Sequence, residues 1–510
     1  MSTVSDSKSG QVRSGTARSG RMKAARGTTV GTPTRVAVIA RVVRKRLTGW
    51  LARPLTSFHL MVGLLALLTG LGLVMVLSAS SVEAYAQDGS AYSVFVKQLI
   101  YAVVGLLLFY LALRIPVRTW RRFALPVLGV CVLLLAAVLI PRVGNEVNGA
   151  RAWFVIGPVS LQPSEPTKIA FAVWGAHLLA LKRGQLHSLW HMLIPLIPAA
   201  VLVLALIVLE PDLGTTITLG IVVVGLLWFA GAPVKLFLAV VVTAGGGVLI
   251  LAMTASYRAA RITSFLNPSA DPQGAGYQAM QASYSLANGG LWGVGLGQST
   301  GKWSYLPEAH NDFIFAILGE ELGFVGCAVV LGLFGTLAYT GLRIASRSAD
   351  PFLRLLTATV TVWLVGQAVI NIGYVIGLLP VTGVTLPLVS SGGTSTAVTM
   401  FVFGLLASAA RHEPQAVAAL RNGGEGRFAR LFPKVLRLPA PEPYVARPRA
   451  RVVASTGEQP VRRATEQRRA TSRGQVRQPA RAPRTRSTEP VRRRVTGSTR
   501  GAEQGRGGRR

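Results

Sequence analysis

The chain has 510 residues, half of them hydrophobic, and a formal net charge of +34 at pH 7. Between Phe58 and Ala410 the apolar residues form successive runs of roughly 18–25 residues, the length that crosses about 30 Å of hydrocarbon. This distribution excludes a set of soluble domains. The two cysteines, Cys131 and Cys327, fall inside apolar runs, so a disulfide framework or a cysteine-based zinc site is excluded as well.

Most of the positive charge lies in two polar tails. Residues 1–54 hold 12 Lys/Arg and one acid, and residues 411–510 hold 25 Lys/Arg and seven Glu. Such tails beside a membrane core are typical of disordered cytoplasmic segments close to anionic lipid. No nucleic-acid partner is expected, because the basic residues lack interleaved aromatic residues and a folded module. We therefore predict a basic tail over 1–56, a membrane domain over 57–412 and an Arg-rich tail over 413–510, both tails disordered.

The apolar runs predict an all-α polytopic membrane protein with ten transmembrane helices. The predicted spans are 58–79, 95–114, 123–141, 166–181, 190–209, 213–231, 236–255, 313–342, 353–378 and 394–410. No cleavable signal precedes the first span, which is expected to act as an uncleaved anchor. Lys and Arg collect in alternate loops and acids in the others, so the positive-inside rule predicts that both termini are cytoplasmic.

Three segments on the predicted outer side, 142–165, 256–312 and 379–393, are too polar and too long for simple turns. The large outer loop 256–312 contains aromatic and Gly-rich stretches and is expected to form a structured cap on the outer leaflet. The segment 379–393 is rich in Pro, Gly and hydroxyl residues, which predicts non-helical backbone between two spans. Such backbone is tolerated in a membrane only where protein surrounds it or it lines a cavity.

In the first outer segment, Glu165 and Lys168 are three residues apart at the start of a helix and can pair. The pair is either a structural clamp on the helix end or part of a polar site inside the bundle. In the second interpretation Arg151 is a nearby anion-binding residue, because a guanidinium donates several hydrogen bonds to a diphosphate.

Two further acidic clusters precede apolar helices. Glu210 and Asp212 are explained by the helix dipole, or alternatively by an all-oxygen Mg²⁺ or Mn²⁺ site. Glu308, His310 and Asp312 precede the eighth span, where Asp312 either caps the helix or serves as a reactive carboxylate with His310 in reach.

Two more polar features complete the candidate set. Glu320 and Glu321 lie within the eighth span, and their burial requires a partner, for which a basic group of a neighbouring helix is expected. Ser391 and Thr394 flank glycines before the last span, where free N–H groups and a helix N-terminus suit a phosphate. The alternative for this last segment is an ordinary re-entrant turn.

Together these segments resemble the SEDS family (shape, elongation, division and sporulation) over about 58–412. The motifs that carry the resemblance are Pro307-Glu-Ala-His-Asn-Asp-Phe-Ile-Phe, Gln162-Pro-Ser-Glu, Glu210-Pro-Asp-Leu-Gly-Thr, Leu379-Pro-Val-Thr-Gly and Ser391-Gly-Gly-Thr-Ser. Two stretches, 346–356 and 410–420, look most like the actinobacterial division branch. Ala152 and Pro166-Thr167 depart from the usual pattern of the family.

The resemblance implies a septal peptidoglycan glycosyltransferase in the bacterial plasma membrane. Its implied substrate is lipid II, a disaccharide-pentapeptide on an undecaprenyl diphosphate carrier. It further implies that polymerisation depends on Asp312, and that Glu165 and Lys168 form a functional ion pair. The implied partners are a class B penicillin-binding protein, which supplies transpeptidation, and other division proteins.

The residue chemistry fits an inverting glycosyl transfer. Asp312 is the candidate general base for the acceptor's 4-hydroxyl, and the leaving diphosphate requires a cation. A divalent ion would serve, although no cofactor is required by the sequence. The candidate side-chain cations are Arg151, Lys168, Arg258, Arg261 and Lys302.

The sequence is also compatible with two other functions. One is a lipid II flippase, in which polar groups inside the spans would line a path, although no inverted repeat is evident. The other is a non-catalytic division scaffold that acts through its tails. In either case the Arg-rich C-terminal tail could bind an acidic segment such as the tail of the division protein FtsZ.

Overall fold

The computed structural model describes residues 51–240 except 148, 158 and 185–187, residues 276–422 except 304, 305 and 308, residues 438–445, and positions 49, 242, 243, 246, 265 and 267. The helices are α1 (Thr56–Asp88), α2 (Ser93–Arg114), α3 (Val117–Val138), α4 (Ser164–Leu181), α5 (Leu189–Leu193), α6 (Leu196–Leu209), α7 (Leu213–Ala230), α8 (Tyr277–Gly289), α9 (Ile314–Arg347), α10 (Pro351–Val375), α11 (Thr394–Arg411) and α12 (Pro414–Asn422). Within the described ranges, seven helices are long and apolar enough to cross a membrane. The predicted helical membrane fold is confirmed.

Two of the predicted spans differ clearly from the helices. The first predicted span is too short, because α1 continues as far as Asp88. The span predicted over 190–209 is divided into α5 and α6, with Pro195, which lacks an amide hydrogen, before α6. The span predicted over 236–255 lies largely outside the described residues, so the count of ten crossings stays a prediction.

The centre of the bundle is formed by α10 and α11. In the most apolar stretch of α11, 89% of the residues are buried, against 17% in α2. The helix α2 packs extensively on α11, while its other face exposes side chains such as Leu106 and Leu107. That exposed apolar face is suited to lipid, and the buried polar groups of the protein lie on the central helices.

A small antiparallel sheet, which the sequence did not predict, fills the segment before α4. Its strands β1 (Asn145–Val147), β2 (Ala150–Ile156) and β3 (Val159–Leu161) follow one another in order, with β2 in the centre. The register places Glu146 opposite Arg151. In this position the sheet leads the chain directly into the first turn of α4.

The helix α9 is broken two turns after it begins. At Gly323 the backbone has φ 66° and ψ −167°, a conformation that favours glycine. The segment after α8 lies against this break, where the carbonyls of Gly290 and Leu291 accept hydrogen bonds from the amides of Phe324 (2.9 Å) and Val325 (3.3 Å).

The segment after α8 also forms hydrogen bonds with the residues that precede the break. The amides of Val294 and Gly295 donate to the carbonyls of Glu320 and Glu321, both at 3.0 Å. Non-helical backbone at membrane depth requires such partners, because an unpaired N–H or C=O group there costs several kcal/mol. The segment after α8 and the first two turns of α9 are therefore fixed to each other.

Both tails are attached to the bundle at the end where α9 ends. The Arg343 guanidinium donates to the Leu51 carbonyl, and the Arg411 guanidinium donates to the Pro439 carbonyl at 2.8 Å. Arg347 at the end of α9 lies 3.7 Å from Glu413, which places both attachment points at one end. The cytoplasmic location of both termini stays a prediction.

Some described residues of the predicted Arg-rich tail are ordered. The region expected to be disordered from residue 413 contains the helix α12. It also contains residues 438–445, where Pro441 is buried and Glu442 pairs with Arg118 at 2.8 Å. Apolar contacts of Ala416, Val417 and Leu438 with the bundle account for this order.

A side chain at position 323 should destabilise the protein. In Gly323→Ala the new Cβ would lie 2.3 Å from the Gly293 nitrogen, in addition to a strain of about 1–3 kcal/mol from the positive φ. We expect a lower unfolding temperature in detergent, measured by tryptophan fluorescence. Gly332→Ala in the same helix, where nothing lies within 4 Å, is the control and should unfold like the wild type. Equal stability of both variants would contradict this explanation of the break.

Candidate active site at one end of the bundle

The helices α4, α7, α9 and α11 all begin at the same end of the bundle, which we call the site end. The amide of Gln162 before α4 donates to Asp212 before α7 at 2.8 Å. The start of α7 packs on the 379–393 segment, and the backbone of that segment bonds to the chain before α9. Helix N-termini carry partial positive charge and unpaired N–H groups, so the site end favours an anion.

Asp312 lies at the centre of this end. It is half-buried, and α9 begins two residues later with Phe313 rather than Asp312 at the N-cap position. A Cβ added at Gly383, where φ is +72°, would lie 3.5 Å from Asp312 Oδ2. Asp312 thus precedes the N-cap residue, and its carboxylate lies close to the backbone of the 379–393 segment.

The Asp312 backbone is held by two side chains of α10. The Asn371 amide donates to the Asp312 carbonyl at 2.9 Å, and the Tyr374 hydroxyl donates to the same carbonyl at 2.8 Å. Both side chains are buried.

His310 and Ser391 join the chain before α9 to the loop before α11. The Ser391 amide donates to the His310 carbonyl at 2.9 Å, and His310 Nδ1 lies 3.3 Å from Glu83 Oε2 at the end of α1. The structure thus brings His310, Ser391 and Asp312 to one end, with the imidazole directed toward Glu83. A role for His310 beside Asp312 stays a prediction.

Asp212 is the N-cap of α7. Its Oδ1 accepts from the Thr215 amide at 2.8 Å, and its Oδ2 accepts from the Thr215 hydroxyl at 2.5 Å and from Gln162. These bonds support the helix-cap interpretation of this acid. In the part of the chain that the structure describes, no group of three His, Cys, Asp or Glu side chains is placed to hold a metal ion.

Glu210, next to this cap, is fully buried, and neither carboxyl oxygen has a hydrogen-bond partner among the described residues. Burial, with a smaller contribution from the Asp212 charge, raises the pKa of Glu210 to about 8. Near neutral pH the carboxyl is therefore mainly protonated, so its oxygens are poor ligands for a cation in this state.

Glu165 and Lys168 form the predicted ion pair. The ammonium lies 2.7 Å from Glu165 Oε1 and 5.1 Å from the centre of the Trp363 ring, and both charged groups are buried. The Lys168 charge is thus neutralised inside the bundle. It would reach a diphosphate only if the pair were broken.

The cation–π contact of Lys168 with Trp363 and two hydrogen bonds of α10 connect this pair to the site end. The Trp363 indole donates to Gln367 at 3.1 Å, and the Gln367 amide donates to the Thr385 carbonyl at 3.0 Å. The α4 pair and the 379–393 segment are therefore positioned by the same face of α10.

The loop before α11 is held by side chains from two sides. The Thr394 hydroxyl donates to the Ser160 carbonyl of β3 at 2.5 Å, and the Gln98 amide donates to the Ser390 carbonyl at 3.3 Å. The Gly392 amide in turn donates to Gln98 at 3.4 Å. The predicted non-helical backbone is therefore enclosed by protein, while phosphate binding by Ser391 and Thr394 stays a prediction.

Glu320 has a different partner from the basic group expected from the sequence. Its Oε2 accepts from the Ser299 hydroxyl at 2.5 Å, and its Oε1 accepts from the Thr300 hydroxyl at 2.7 Å and amide at 3.0 Å. Glu321 likewise accepts from the Ser78 hydroxyl at 2.6 Å. Among the described residues, hydroxyls bond both carboxylates and loop amides bond Glu320, so the expectation of a basic partner is wrong for Glu320.

The candidate cations differ in how readily each could contact an anionic ligand. Lys302 is buried, and its ammonium donates to the Gly297 carbonyl. Arg151 on β2 is partly exposed and lies 3.5 Å from Glu146, a contact that solvent weakens. Arg258, Arg261 and Glu308 lie outside the described residues. Arg151 is thus the described candidate that can approach a ligand with least rearrangement.

Four residues of α10 that the sequence analysis did not identify contribute to this site, namely Trp363, Gln367, Asn371 and Tyr374. Their spacing of four, four and three residues places them along one helix face. Polar residues at this spacing inside an apolar span are a recognisable signal. Their partners are far away in sequence, so the spacing identifies the face but not its contacts.

Removing one charge of the buried pair should lower the stability of the protein more than removing both charges. Glu165→Gln or Lys168→Met leaves one buried charge unpaired, which costs about 3–5 kcal/mol. The double variant should recover a large part of that loss in unfolding experiments in detergent. Glu146→Gln, which removes an exposed contact, is the control, with an expected effect below about 1 kcal/mol. A double variant less stable than both single variants would rule out this interpretation.

Comparison with known proteins places this arrangement in a family. The family model described as FtsW/RodA/SpoVE cell cycle protein matches residues 58–415. The chain is 58% identical over 402 residues to the probable peptidoglycan glycosyltransferase FtsW of Mycobacterium tuberculosis, covering 79% of this chain and 76% of that protein. It is 38% identical over 354 residues to stage V sporulation protein E of Bacillus subtilis, covering 69% and 96%.

Solved structures show the same fold. One is a chain of a structure described as structural coordination of polymerization and crosslinking by a peptidoglycan synthase complex. It has a TM-score of 0.60 and 29% identity, and the match covers 72% of this chain and all of that one. The rod shape determining protein RodA of Thermus thermophilus has a TM-score of 0.53 and 30% identity, over 72% and 99% of the two chains. The chain therefore belongs to the FtsW/RodA/SpoVE family of membrane proteins.

Proposed function

We propose that this protein is a peptidoglycan glycosyltransferase that polymerises lipid II, with Asp312 as the general base. The observation that carries the proposal is the position of Asp312. Its carboxylate lies beside Gly383 at the end where four helices begin, and α10 holds its backbone. The 58% identity to a protein named as a probable peptidoglycan glycosyltransferase supports the reaction class.

In this reaction Asp312 accepts the proton of the 4-hydroxyl of the acceptor sugar. The acceptor oxygen forms a bond to the anomeric carbon of the donor, and the bond between that carbon and the diphosphate oxygen breaks. Undecaprenyl diphosphate leaves with the electron pair. Attack from the face opposite the leaving group inverts the anomeric centre. A positioned base of this kind contributes typically about 10²–10⁴-fold to the rate.

The negative charge that develops on the diphosphate is stabilised by the helix N-termini of the site end and by Arg151. Arg258 and Lys302 remain further candidates for this contact, with Ser391 as a hydroxyl donor. The Thr394 hydroxyl donates to the Ser160 carbonyl, so it would reach the diphosphate only after that bond is broken. Lys168 is assigned a supporting role with Glu165, because its charge is buried and paired. A Mg²⁺ or Mn²⁺ ion would add positive charge, and Asp212 with the diphosphate oxygens would have to supply its ligands.

The central test is polymerisation by the purified protein in liposomes with lipid II supplied from outside. Wild type and Asp88→Asn, which changes an exposed acid at the end of α1, should form glycan strands. Asp312→Asn should lower the rate by at least about 10²-fold, because an amide accepts no proton at neutral pH. Movement of lipid II without polymer would support a flippase instead. Absence of both activities in the wild type would support a scaffold.

We place the site end on the outer face of the plasma membrane and both tails in the cytoplasm, at the division septum. The opposite end carries Arg118, Arg121, Arg122 and Arg347, as the positive-inside rule requires of a cytoplasmic face. A class B penicillin-binding protein is the proposed membrane partner. The structural likeness to a chain of a peptidoglycan synthase complex supports such an assembly.

The Arg-rich tail is proposed to bind an acidic segment such as the FtsZ tail. Truncation after residue 445 keeps the docked 438–445 segment and removes most of the tail charge. We expect the truncated protein to lose salt-sensitive binding to an acidic FtsZ-tail peptide. A full-length variant with the tail arginines changed to lysine is the control and should retain it. Unchanged binding after truncation would refute the assignment.

A further inference from the structure

Two polar side chains on α10 contact the same pair of backbone carbonyls. Asn371 and Tyr374 are 0% and 1% exposed, respectively. The Asn371 amide lies 2.9 Å from the Asp312 carbonyl and 2.7 Å from the Val384 carbonyl. The Tyr374 hydroxyl lies 2.8 Å from each of the same two oxygens.

The network fixes which atoms act as donors. The Asn371 nitrogen faces two carbonyl oxygens, and the Tyr374 hydroxyl is 2.7 Å away as a further acceptor, while Oδ1 of the same amide has no partner among the described residues. The NH₂ group supplies two hydrogens and the hydroxyl supplies one. Three hydrogens are thus available to the two carbonyls and the hydroxyl oxygen. A buried amide that leaves its own oxygen unpaired is used here as a donor.

The two carbonyls belong to the segments that meet at the carboxylate. Asp312 precedes α9, and Val384 directly follows Gly383, where an added Cβ atom would lie 3.5 Å from Asp312 Oδ2. Because the same side chains bond both segments, they set the separation between the Asp312 backbone and the Gly383 backbone. The location of the carboxylate depends on that separation.

We propose that Asn371 and Tyr374 are positioning residues that hold Asp312 in its reactive geometry. This inference rests on the proposed function, since it assigns them to the Asp312 reaction. Neither residue is required to touch the substrate. A displacement of about 1 Å of a reacting group can cost about 10²-fold in rate, so loss of this contact should lower kcat before it affects lipid II binding.

The test compares two variants with a matched control in the lipid II polymerisation assay. Tyr374→Phe removes only the hydroxyl and keeps the ring, which packs edge-on against Phe313 at 5.7 Å between centroids. Asn371→Leu removes the amide at similar volume. Thr361→Val removes a buried hydroxyl of α10 that bonds within the helix, to the Thr357 carbonyl at 2.7 Å.

We expect kcat to fall about tenfold in Tyr374→Phe, the equivalent of one hydrogen bond, and about 10²-fold in Asn371→Leu. KM for lipid II should stay within about twofold of the wild type. The double variant should lose less than the product of the two single losses, because both side chains serve the same carbonyls. Thr361→Val should keep the wild-type kcat, and the unfolding temperatures of Thr361→Val and Tyr374→Phe should be similar.

Two results would overturn the inference. One is a wild-type kcat in Tyr374→Phe, which remains informative even if Asn371→Leu does not fold. The other is an equal loss of kcat in Thr361→Val, which would indicate a general effect on α10. Asp312→Asn in the same assay separates the two proposals. If it is active, the proposed function fails, whereas if it is inactive while Tyr374→Phe is unchanged, only the positioning role fails.

Discussion

The requirement that every buried backbone N–H and C=O group have a partner governs this structure. At the site end the chain is non-helical before α9 and throughout 379–393, in a protein surrounded by lipid. Side chains of α10, α2 and the loop residues supply the missing partners, among them Asn371, Tyr374 and Gln98. The backbone groups at the break in α9 also have hydrogen-bond partners, which belong to the segment after α8. Irregular backbone can therefore persist at membrane depth and carry a carboxylate.

This constraint also explains how charge is distributed. Buried acids are stabilised by local donors, as Glu320 is by Ser299 and Thr300, and the buried cation Lys168 is paired with Glu165. Four helix N-termini lie at the site end. Arginines lie at the other end, near the points where the tails join the bundle. The two ends thus differ in charge, because helix N-termini at the site end favour anions and the other end carries arginines.

Much of this could be predicted from the sequence because it depends on local spacing. The apolar runs predicted the helices, and the three-residue spacing of Glu165 and Lys168 predicted their pairing. The break at Gly323 and the short strands of the sheet have no comparable periodic signal. The partner of Glu320 was predicted wrongly because a buried carboxylate indicates only that it needs a donor, not which kind. Asn371 and Tyr374 were missed because Asp312 lies 59 and 62 residues away from them.

In the proposed reaction the Asp312 carboxylate removes a proton during glycan polymerisation. The most direct test of this step is the pH dependence of the single-turnover rate with saturating lipid II. We predict that the wild-type rate falls tenfold per pH unit below the pKa of one carboxyl. Asp312→Glu should show the same acidic decline of the rate at a different pH. Asp312→Asn should lose both the rate and its acidic decline. An Asp312→Asn protein that retains the wild-type rate and its acidic decline would contradict this role of Asp312.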